Sequence, residues 1–158
     1  MTPQVHKVYL GLGSNQGDRQ QNLSLAITLI ANRIGPITDQ SDLFVTEPVG
    51  FKSSHLFYNM SIGLETTLTA IEVLKATQQI EKELGRKKKS VNGIYHDRLI
   101  DIDILLYDNE TFHSPSLTIP HPRMKERRFV LEPLAQIAPQ LVIPNETKTI
   151  TELLADIC

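Results

Sequence analysis

The sequence is poor in cysteine and in aromatic residues. Its 158 residues include one cysteine, Cys158, and no tryptophan. A lone cysteine excludes an internal disulfide, and the Cys and His spacing of a structural zinc site is absent, so a disulfide-rich secreted fold is not expected. The N-terminus also lacks the basic flank and apolar core of a secretory signal. These absences together lead us to expect a cytoplasmic protein.

Long apolar runs and an excess of one charge are missing as well. No stretch approaches the roughly 20 apolar residues that cross a bilayer as a helix, so no membrane is expected as a partner. The formal net charge of −2 gives no overall attraction to nucleic acid, which is not expected as a partner either. The length and the 41% hydrophobic content suit one globular domain over residues 1–158.

What the sequence does contain is an ordered series of strand and helix signals. "VHKVYLGLGS" predicts a strand, and Asp18 then caps a helix that stops at a Gly-Pro pair. "TDQSDLFVT" and "FYNMSIGLETT" predict two strands, and Thr69 with Glu72 opens a helix that ends at Gly85. "DRLIDIDILLYD" supplies a fourth strand. This βαββαβ order predicts an α+β, ferredoxin-like fold with an antiparallel sheet.

Two carboxylates interrupt the aliphatic pattern of the fourth strand. The alternation predicts one face that turns into the core, made of Ile100, Ile102, Ile104 and Leu106, and an opposite face made of Leu99, Asp101, Asp103, Leu105 and Tyr107. Residues two apart on a strand lie about 6.5 Å apart, so both carboxylates could reach one cation or a close pair of cations. Oxygen ligands favour Mg²⁺ over zinc. A solvent-exposed face explains the same alternation equally well, and the pattern leaves both interpretations open.

Three other segments also admit two interpretations. The basic run "GRKKK" could bind polyphosphate, or could be a solvated cluster at a helix C-terminus. "FYN" places Phe57 and Asn59 on one side of a strand, which suits a flat heterocycle and equally suits a mixed exposed face. "GLGSNQG" lacks the lysine of a phosphate loop and favours a tight connection into the first helix. His121 in isolation favours an ordinary structural role.

Several motifs together resemble one enzyme family. "GLGSN", "TEPVG", "FYN", "GR", "DRLIDIDILLY" and "IPHPRMKERRFVLEPL" are similar, in this order and over nearly the whole chain, to the signatures of 6-hydroxymethyl-7,8-dihydropterin pyrophosphokinases of folate biosynthesis. The resemblance implies a ferredoxin-like fold in three α-β-α layers. It also implies transfer of the β,γ-diphosphate of ATP to the pterin hydroxymethyl group, with release of AMP. ATP and the pterin would then be the partners, and we expect a monomer.

The same resemblance implies roles for individual residues. Two Mg²⁺ ions would be held by Asp101 and Asp103, and Arg86 and Arg98 would be the cations beside the transferring phosphates. The pterin site would be formed by Thr46, Pro48, Val49, Phe57, Asn59, Tyr95 and Phe129. The nucleotide site would be formed by Gln78, Glu81, Lys88, Thr118, His121 and Arg127. Tyr95 stands where the family often has tryptophan, and Lys88 where it often has arginine.

Two other functions remain open at the level of sequence. RNA-recognition modules share the βαββαβ order, and the basic run could meet phosphates, but the net negative charge, the two aspartates and the missing aromatic RNP signature argue against RNA. A different Mg²⁺-dependent nucleotide enzyme could also use this scaffold, because a fold alone does not fix a function.

Overall fold

The protein is built around a five-stranded antiparallel sheet with β1 at its centre. A computed structural model describes residues 4–46, 56–85 and 99–157. The strands of this sheet are β1 (His6–Ser14), β2 (Ile37–Gln40), β3 (Phe44–Thr46), β4 (Phe57–Thr66) and β5 (Asp101–Tyr107). They follow the order β2-β4-β1-β5, and β3 also pairs with β4. This order confirms the predicted ferredoxin-like arrangement.

Four α-helices and a small hairpin complete the described fold. The helices are α1 (Arg19–Arg33), α2 (Ala70–Glu83), α3 (Arg128–Ile137) and α4 (Ile150–Asp156). The hairpin pairs β6 (Phe112–His113) with β7 (Thr118–Ile119), and a 3-10 turn spans Met124–Glu126. No helix in the described ranges combines the length and the apolar character needed to span a membrane.

The predicted helix boundaries are confirmed at both long helices. The side chain of Asp18 accepts a hydrogen bond from the backbone N–H of Gln21 at the start of α1. Thr69 and Glu72 form a reciprocal capping box at the start of α2. Gly85 follows α2 with a φ of 108°, a left-handed conformation that glycine adopts without steric cost.

Two apolar cores lie on opposite faces of the sheet and create three layers. One core joins α1 and α2 to the inward residues of β1, β4 and β5, among them Leu10, Ile62 and Ile102. The other joins α3 and α4 to the end of β5, through residues such as Leu131 and Leu105. The three-layer α-β-α arrangement is therefore confirmed.

The prediction of one strand over "TDQSDLFVT" is wrong, because the segment forms two strands, β2 and β3. Between them, the backbone N–H of Ser61 donates to the hydroxyl of Ser41 at 2.9 Å. The N–H of Ser41 donates to the carbonyl of Ser61 at 2.9 Å. A side-chain oxygen thus replaces a backbone acceptor, and the regular ladder is interrupted there.

The predicted faces of the last strand are correct at its start and wrong at its end. The register between β5 and β1 shifts between Tyr9 and Leu10, which leaves Leu105 as an extra residue in β5. An extra residue reverses the alternation of side chains beyond it. Leu106 consequently packs with Leu105 in the core beneath α3 and α4, whereas Tyr107 packs in the other core.

Candidate active site

Asp101 and Asp103 lie on the sheet face opposite the α1 and α2 core. Both side chains are half-buried, while the isoleucines between and beside them are buried against the helices. Burial of an isoleucine is worth about 1.5–3 kcal/mol, so rotating this strand to hide the aspartates would lose several such contributions. The packing of the apolar face therefore holds both carboxylates on the other face of the sheet.

Two glycines of β1 lie beside the aspartates and leave the sheet without side chains there. Gly13 is opposite Asp101, and Gly11 is opposite Asp103. A Cβ atom at Gly13 would lie 3.1 Å from Oδ1 of Asn59 and 3.8 Å from Cδ1 of Phe57. Glycine inside a strand often marks a close approach of a ligand or another chain. Sequence reasoning missed these two residues, although their spacing of two within a strand was a usable signal.

Gly11 and Gly13 together are called the glycine strip. Phe57 and Asn59 lie on β4, on the other side of this strip from the aspartates. Gly13 is opposite Asn59 in the β1–β4 ladder, so Asn59, Gly13 and Asp101 form one row across three strands. Adjacent strands are about 4.8 Å apart, which separates the backbones of the two outer residues by about 10 Å. Asn59 is buried and Phe57 is half-buried. An aromatic ring, an amide and a carboxylate therefore lie on the same face of the sheet.

A second row, also crossing three strands, contains Ser61, Gly11 and Asp103. The hydroxyl oxygen of Ser61 is buried, and it has no hydrogen-bond partner among the described residues. A buried hydroxyl without a partner costs free energy, so it is a feature that a bound water or ligand group could satisfy. The sequence analysis did not identify Ser61.

The two predicted nucleotide-site residues of α2 differ in their surroundings. Gln78 is exposed, whereas Glu81 is 5% exposed. The Oε2 atom of Glu81 accepts a hydrogen bond of 2.8 Å from the backbone N–H of Ile102. Glu81 is thereby joined to the strand segment that carries the two aspartates.

His121 and Arg127 lie near the aspartate end of β5. The backbone N–H of His121 donates to the carbonyl of Leu105 at 3.1 Å, which ties the segment after β7 to β5. Burial lowers the pKa of His121, as does the positive charge of Arg127, while Asp101 opposes both effects. Nδ1 of the ring accepts from the N–H of Arg123 at 3.3 Å, so a neutral ring carries its proton on Nε2. His121 can therefore donate a hydrogen bond toward a ligand.

Two further predicted residues belong to the same region. The Arg127 guanidinium lies 5.5 Å from the centre of the Phe129 ring, a cation–π distance. Phe129 is half-buried in the first turn of α3 and contacts the core beneath that helix. Thr118 is half-buried on β7, directly before the cis Ile119–Pro120 bond.

Several predicted site residues lie outside the described residues. These are Pro48, Val49, Arg86, Lys88, Tyr95 and Arg98. Thr46 ends β3, and its backbone is opposite Phe57 of β4. The roles predicted for all seven residues stay predictions.

The donor set on β5 fits a divalent ion with oxygen ligands. Two half-buried carboxylates lie beside Gly13 and Gly11, and the side chains of Asn59, Phe57 and Leu105 border the space over these glycines. A separate group of close His, Asp and Glu ligand atoms, at His6, Asp108 and Glu110, lies at the other end of β1 and β5. There the Asp108 carboxylate already accepts from His6 at 2.6 Å and from the N–H of Lys7 at 2.7 Å. Asp101 and Asp103 are the candidates for Mg²⁺ because both lie on one face of β5, two residues apart and opposite Gly13 and Gly11.

The structure defines an α+β protein with a ferredoxin-like sheet, which carries two half-buried carboxylates, an aromatic ring and an amide on one face. A family model described as "7,8-dihydro-6-hydroxymethylpterin-pyrophosphokinase (HPPK)" matches residues 9–139. The chain belongs to this HPPK family.

The names of similar proteins agree with this family. A 2-amino-4-hydroxy-6-hydroxymethyldihydropteridine pyrophosphokinase of Porphyromonas gingivalis is 48% identical over 135 residues, covering 85% of this chain and 92% of the relative. The enzyme of the same name from Bacillus subtilis is 42% identical over 134 residues, covering 84% of this chain and 78% of the relative.

A solved structure shares the fold at much lower identity. The wild-type HPPK-DHPS of Plasmodium falciparum, solved with SDX-DHP, matches 97% of this chain with a TM-score of 0.81 and 16% identity. This chain spans 44% of that longer chain. At such identity the likeness shows the fold alone.

Proposed function

We propose that this chain transfers the β,γ-diphosphate of ATP to the hydroxymethyl group of 6-hydroxymethyl-7,8-dihydropterin. The HPPK family catalyses pyrophosphate transfer from ATP to a hydroxymethyl pterin in folate synthesis, and the chain belongs to it. The observation that carries the proposal for this particular site is the row formed by Asn59, Gly13 and Asp101. It puts an amide suited to a heterocycle about two strand spacings, or roughly 10 Å, from a carboxylate that would bind Mg²⁺.

Each described side chain then has a distinct task. Phe57 and Phe129 would stack on the pterin, and Asn59 would bind the hydrogen-bonding edge of its ring. His121, Arg127, Thr118 and Gln78 would contact ATP. The Nε2–H of a neutral His121 can donate to an ATP oxygen or nitrogen without adding a charge.

Asp101 and Asp103 would hold two Mg²⁺ ions beside the phosphates. Such ions neutralise phosphate charge and align an attacking hydroxyl with the phosphorus atom. In the transfer, the pterin hydroxyl oxygen forms a bond to the β-phosphorus and loses its proton. The bond from that phosphorus to the oxygen it shares with the α-phosphate breaks, and AMP leaves. The two-ion count, a monomeric state and a cytoplasmic location stay predictions.

The test uses ATP labelled on the γ-phosphate, together with Mg²⁺ and the pterin, and separates the nucleotides and pterins. We expect AMP and labelled pterin diphosphate in equal amounts. ADP with a singly phosphorylated product would indicate ordinary phosphoryl transfer, and absence of turnover would contradict both enzymatic functions. Binding of single-stranded RNA without turnover would favour the RNA-binding alternative.

A further inference from the structure

The carboxylate of Glu81 occupies an unfavourable place for a charge. Glu81 lies in the last turn of α2 and is 5% exposed. The C-terminal end of a helix carries partial negative charge, and a buried carboxylate is costly unless donors surround it. A carboxylate held at such a position needs a specific partner.

The backbone of β5 provides such a partner. β5 is an edge strand, since it follows β1 at the end of the strand order. The N–H of Ile102 donates to Oε2 of Glu81 at 2.8 Å. This N–H therefore points away from β1, to the edge of β5 that pairs with no other strand among the described residues, and Glu81 takes the place that a carbonyl of a further strand would have there.

The bond joins α2 to the peptide between the two candidate metal ligands. Ile102 is the residue between Asp101 and Asp103, and its own side chain is buried against the α1 and α2 core. β1 holds one edge of this segment through the pairs that Gly13 and Gly11 make with the aspartates. Glu81 holds the other edge, so both sides of the strand are fixed where the carboxylates emerge.

We propose that Glu81 is a positioning residue that fixes the β5 backbone so that Asp101 and Asp103 bind Mg²⁺ together. The proposal rests on the proposed function, because it takes the two aspartates as the metal ligands. It differs from the nucleotide contact predicted for Glu81, since it requires the side chain to act through Ile102. For this role the side chain at position 81 must carry an oxygen that accepts the hydrogen bond, and it must be long enough to reach the N–H of Ile102. The negative charge of the carboxylate is not required for it.

Three variants separate these two requirements. Glu81→Met keeps the length of the side chain and removes the acceptor. Glu81→Gln removes the charge and keeps a carbonyl oxygen that can accept from Ile102. Glu81→Asp keeps the charge and shortens the side chain, so the bond is lengthened or lost. Glu83→Gln is the matched control, because Glu83 lies in the same turn of α2 but binds Arg33 at the surface.

The experiment measures Mn²⁺ binding by electron paramagnetic resonance in the presence of α,β-methylene-ATP, which cannot be cleaved at the reacting bond. Removing a partner that orients metal ligands typically weakens metal binding by about 10- to 100-fold, and we expect this loss for Glu81→Met. We expect Glu81→Gln and Glu83→Gln to bind Mn²⁺ as the parent does. Amide hydrogen exchange at Ile102 should become faster in Glu81→Met and stay slow in Glu81→Gln.

Two results would overturn the proposal: parent-like Mn²⁺ binding by Glu81→Met, or a loss in Glu81→Gln as large as that in Glu81→Met. If Glu81→Met does not fold, the comparison of Glu81→Asp with Glu81→Gln decides, because positioning predicts the larger loss for the aspartate. Turnover of the parent is measured separately. A parent that makes no AMP refutes the proposed function, whereas Mn²⁺ binding and Ile102 exchange still decide the role of Glu81.

Discussion

Gly13 of β1 and Asn59 of β4 are opposite each other, and the side chain of Asn59 leaves little room for a Cβ atom at position 13. A Cβ atom there would lie 3.1 Å from the amide oxygen of Asn59, closer than nearly all such contacts. The amide of Asn59 would have to move, although it is buried and its orientation determines which ligand edge it can bind. The glycine thus allows the amide of Asn59 to keep its position.

Gly13→Ala should weaken pterin binding and leave the fold intact. Displacing Asn59 loses about one hydrogen bond, worth roughly 0.5–1.5 kcal/mol, so the Kd for the pterin should rise by about 2- to 10-fold. The measurement is isothermal titration calorimetry with the pterin, beside a thermal melt of each protein. Gly11→Ala is the control, since a Cβ at that position would meet Leu105 at an ordinary 3.5 Å. Equal pterin affinities of Gly13→Ala and the parent would contradict the assignment.

Asp101→Asn and Asp103→Asn should each remove most of the activity without unfolding the protein. An amide keeps the size of the carboxylate but lacks the charge that Mg²⁺ ligation needs, so turnover should fall by about 100-fold or more. AMP release is measured across a range of Mg²⁺ concentrations. The control is Asp156→Asn, because Asp156 is the last residue of α4 and forms an exposed ion pair with Lys148. Full activity of both variants at ordinary Mg²⁺ concentrations would refute the metal assignment.

The sequence could predict which face of β5 carries Asp101 and Asp103, because polar and apolar residues alternate strictly over residues 100–104. It could not predict the reversal beyond them, since Leu105, Leu106 and Tyr107 are all apolar and all buried, on one face or the other. In a run of such residues, a register shift does not alter the pattern of polar and apolar positions, so the sequence cannot reveal it. The sequence could not predict the break between β2 and β3 either, because the break depends on a hydrogen bond from the backbone N–H of Ser61 to the hydroxyl of Ser41, 20 residues earlier.

The residues and contacts of the candidate site also divide into those that the sequence could predict and those that it could not. The strand alternation placed Asn59 on the same side of its strand as Phe57, and the resemblance to a family gave His121 a predicted role in binding ATP. The bond from Glu81 to Ile102 joins a helix to a strand edge 21 residues later, and it depends on how α2 packs against β5. No local pattern encodes that packing, so sequence reasoning could name Glu81 but not its partner.

The pKa of His121 should lie below its ordinary value of 6.5 because the ring is largely buried and Arg127 is near. Nuclear magnetic resonance titration of the ring measures it directly. Arg127→Ala should raise this pKa, and Asp101→Asn should lower it further, because the two charges act in opposite directions. A value above 6.5 in the parent would contradict the described surroundings of the ring.

The same shift gives a sign for the dependence of stability on pH. The unfolded chain takes up the His121 proton more readily than the folded protein does. The free energy of unfolding should therefore decrease as the pH falls through 6.5 toward the lower folded pKa, and His121 should have little effect above that range. His121→Gln, compared with the parent by urea unfolding at several pH values, should flatten this part of the profile.

Leu131→Ala should destabilise the protein through the core beneath α3. Leu131 is fully buried there, and removing its side chain leaves a cavity that costs about 2–5 kcal/mol of unfolding free energy. Urea unfolding measures the change, and Leu25→Ala on the exposed side of α1 is the matched control. Equal losses in the two variants would mean that this layer contributes no more than the surface.

Phe57→Ala should weaken pterin binding strongly, whereas Phe57→Tyr should preserve it. The Phe57 ring borders the glycine strip, since its Cδ1 atom would lie 3.8 Å from a Cβ at Gly13. Stacking adds about 0.5–1.5 kcal/mol beyond burial of the ring surface, so the alanine variant should raise the pterin Kd by about tenfold or more. Tyrosine keeps the ring and adds only a hydroxyl to a half-buried side chain. Calorimetry with the pterin separates the outcomes: a similar loss for tyrosine and alanine would show that the ring does not stack on the ligand.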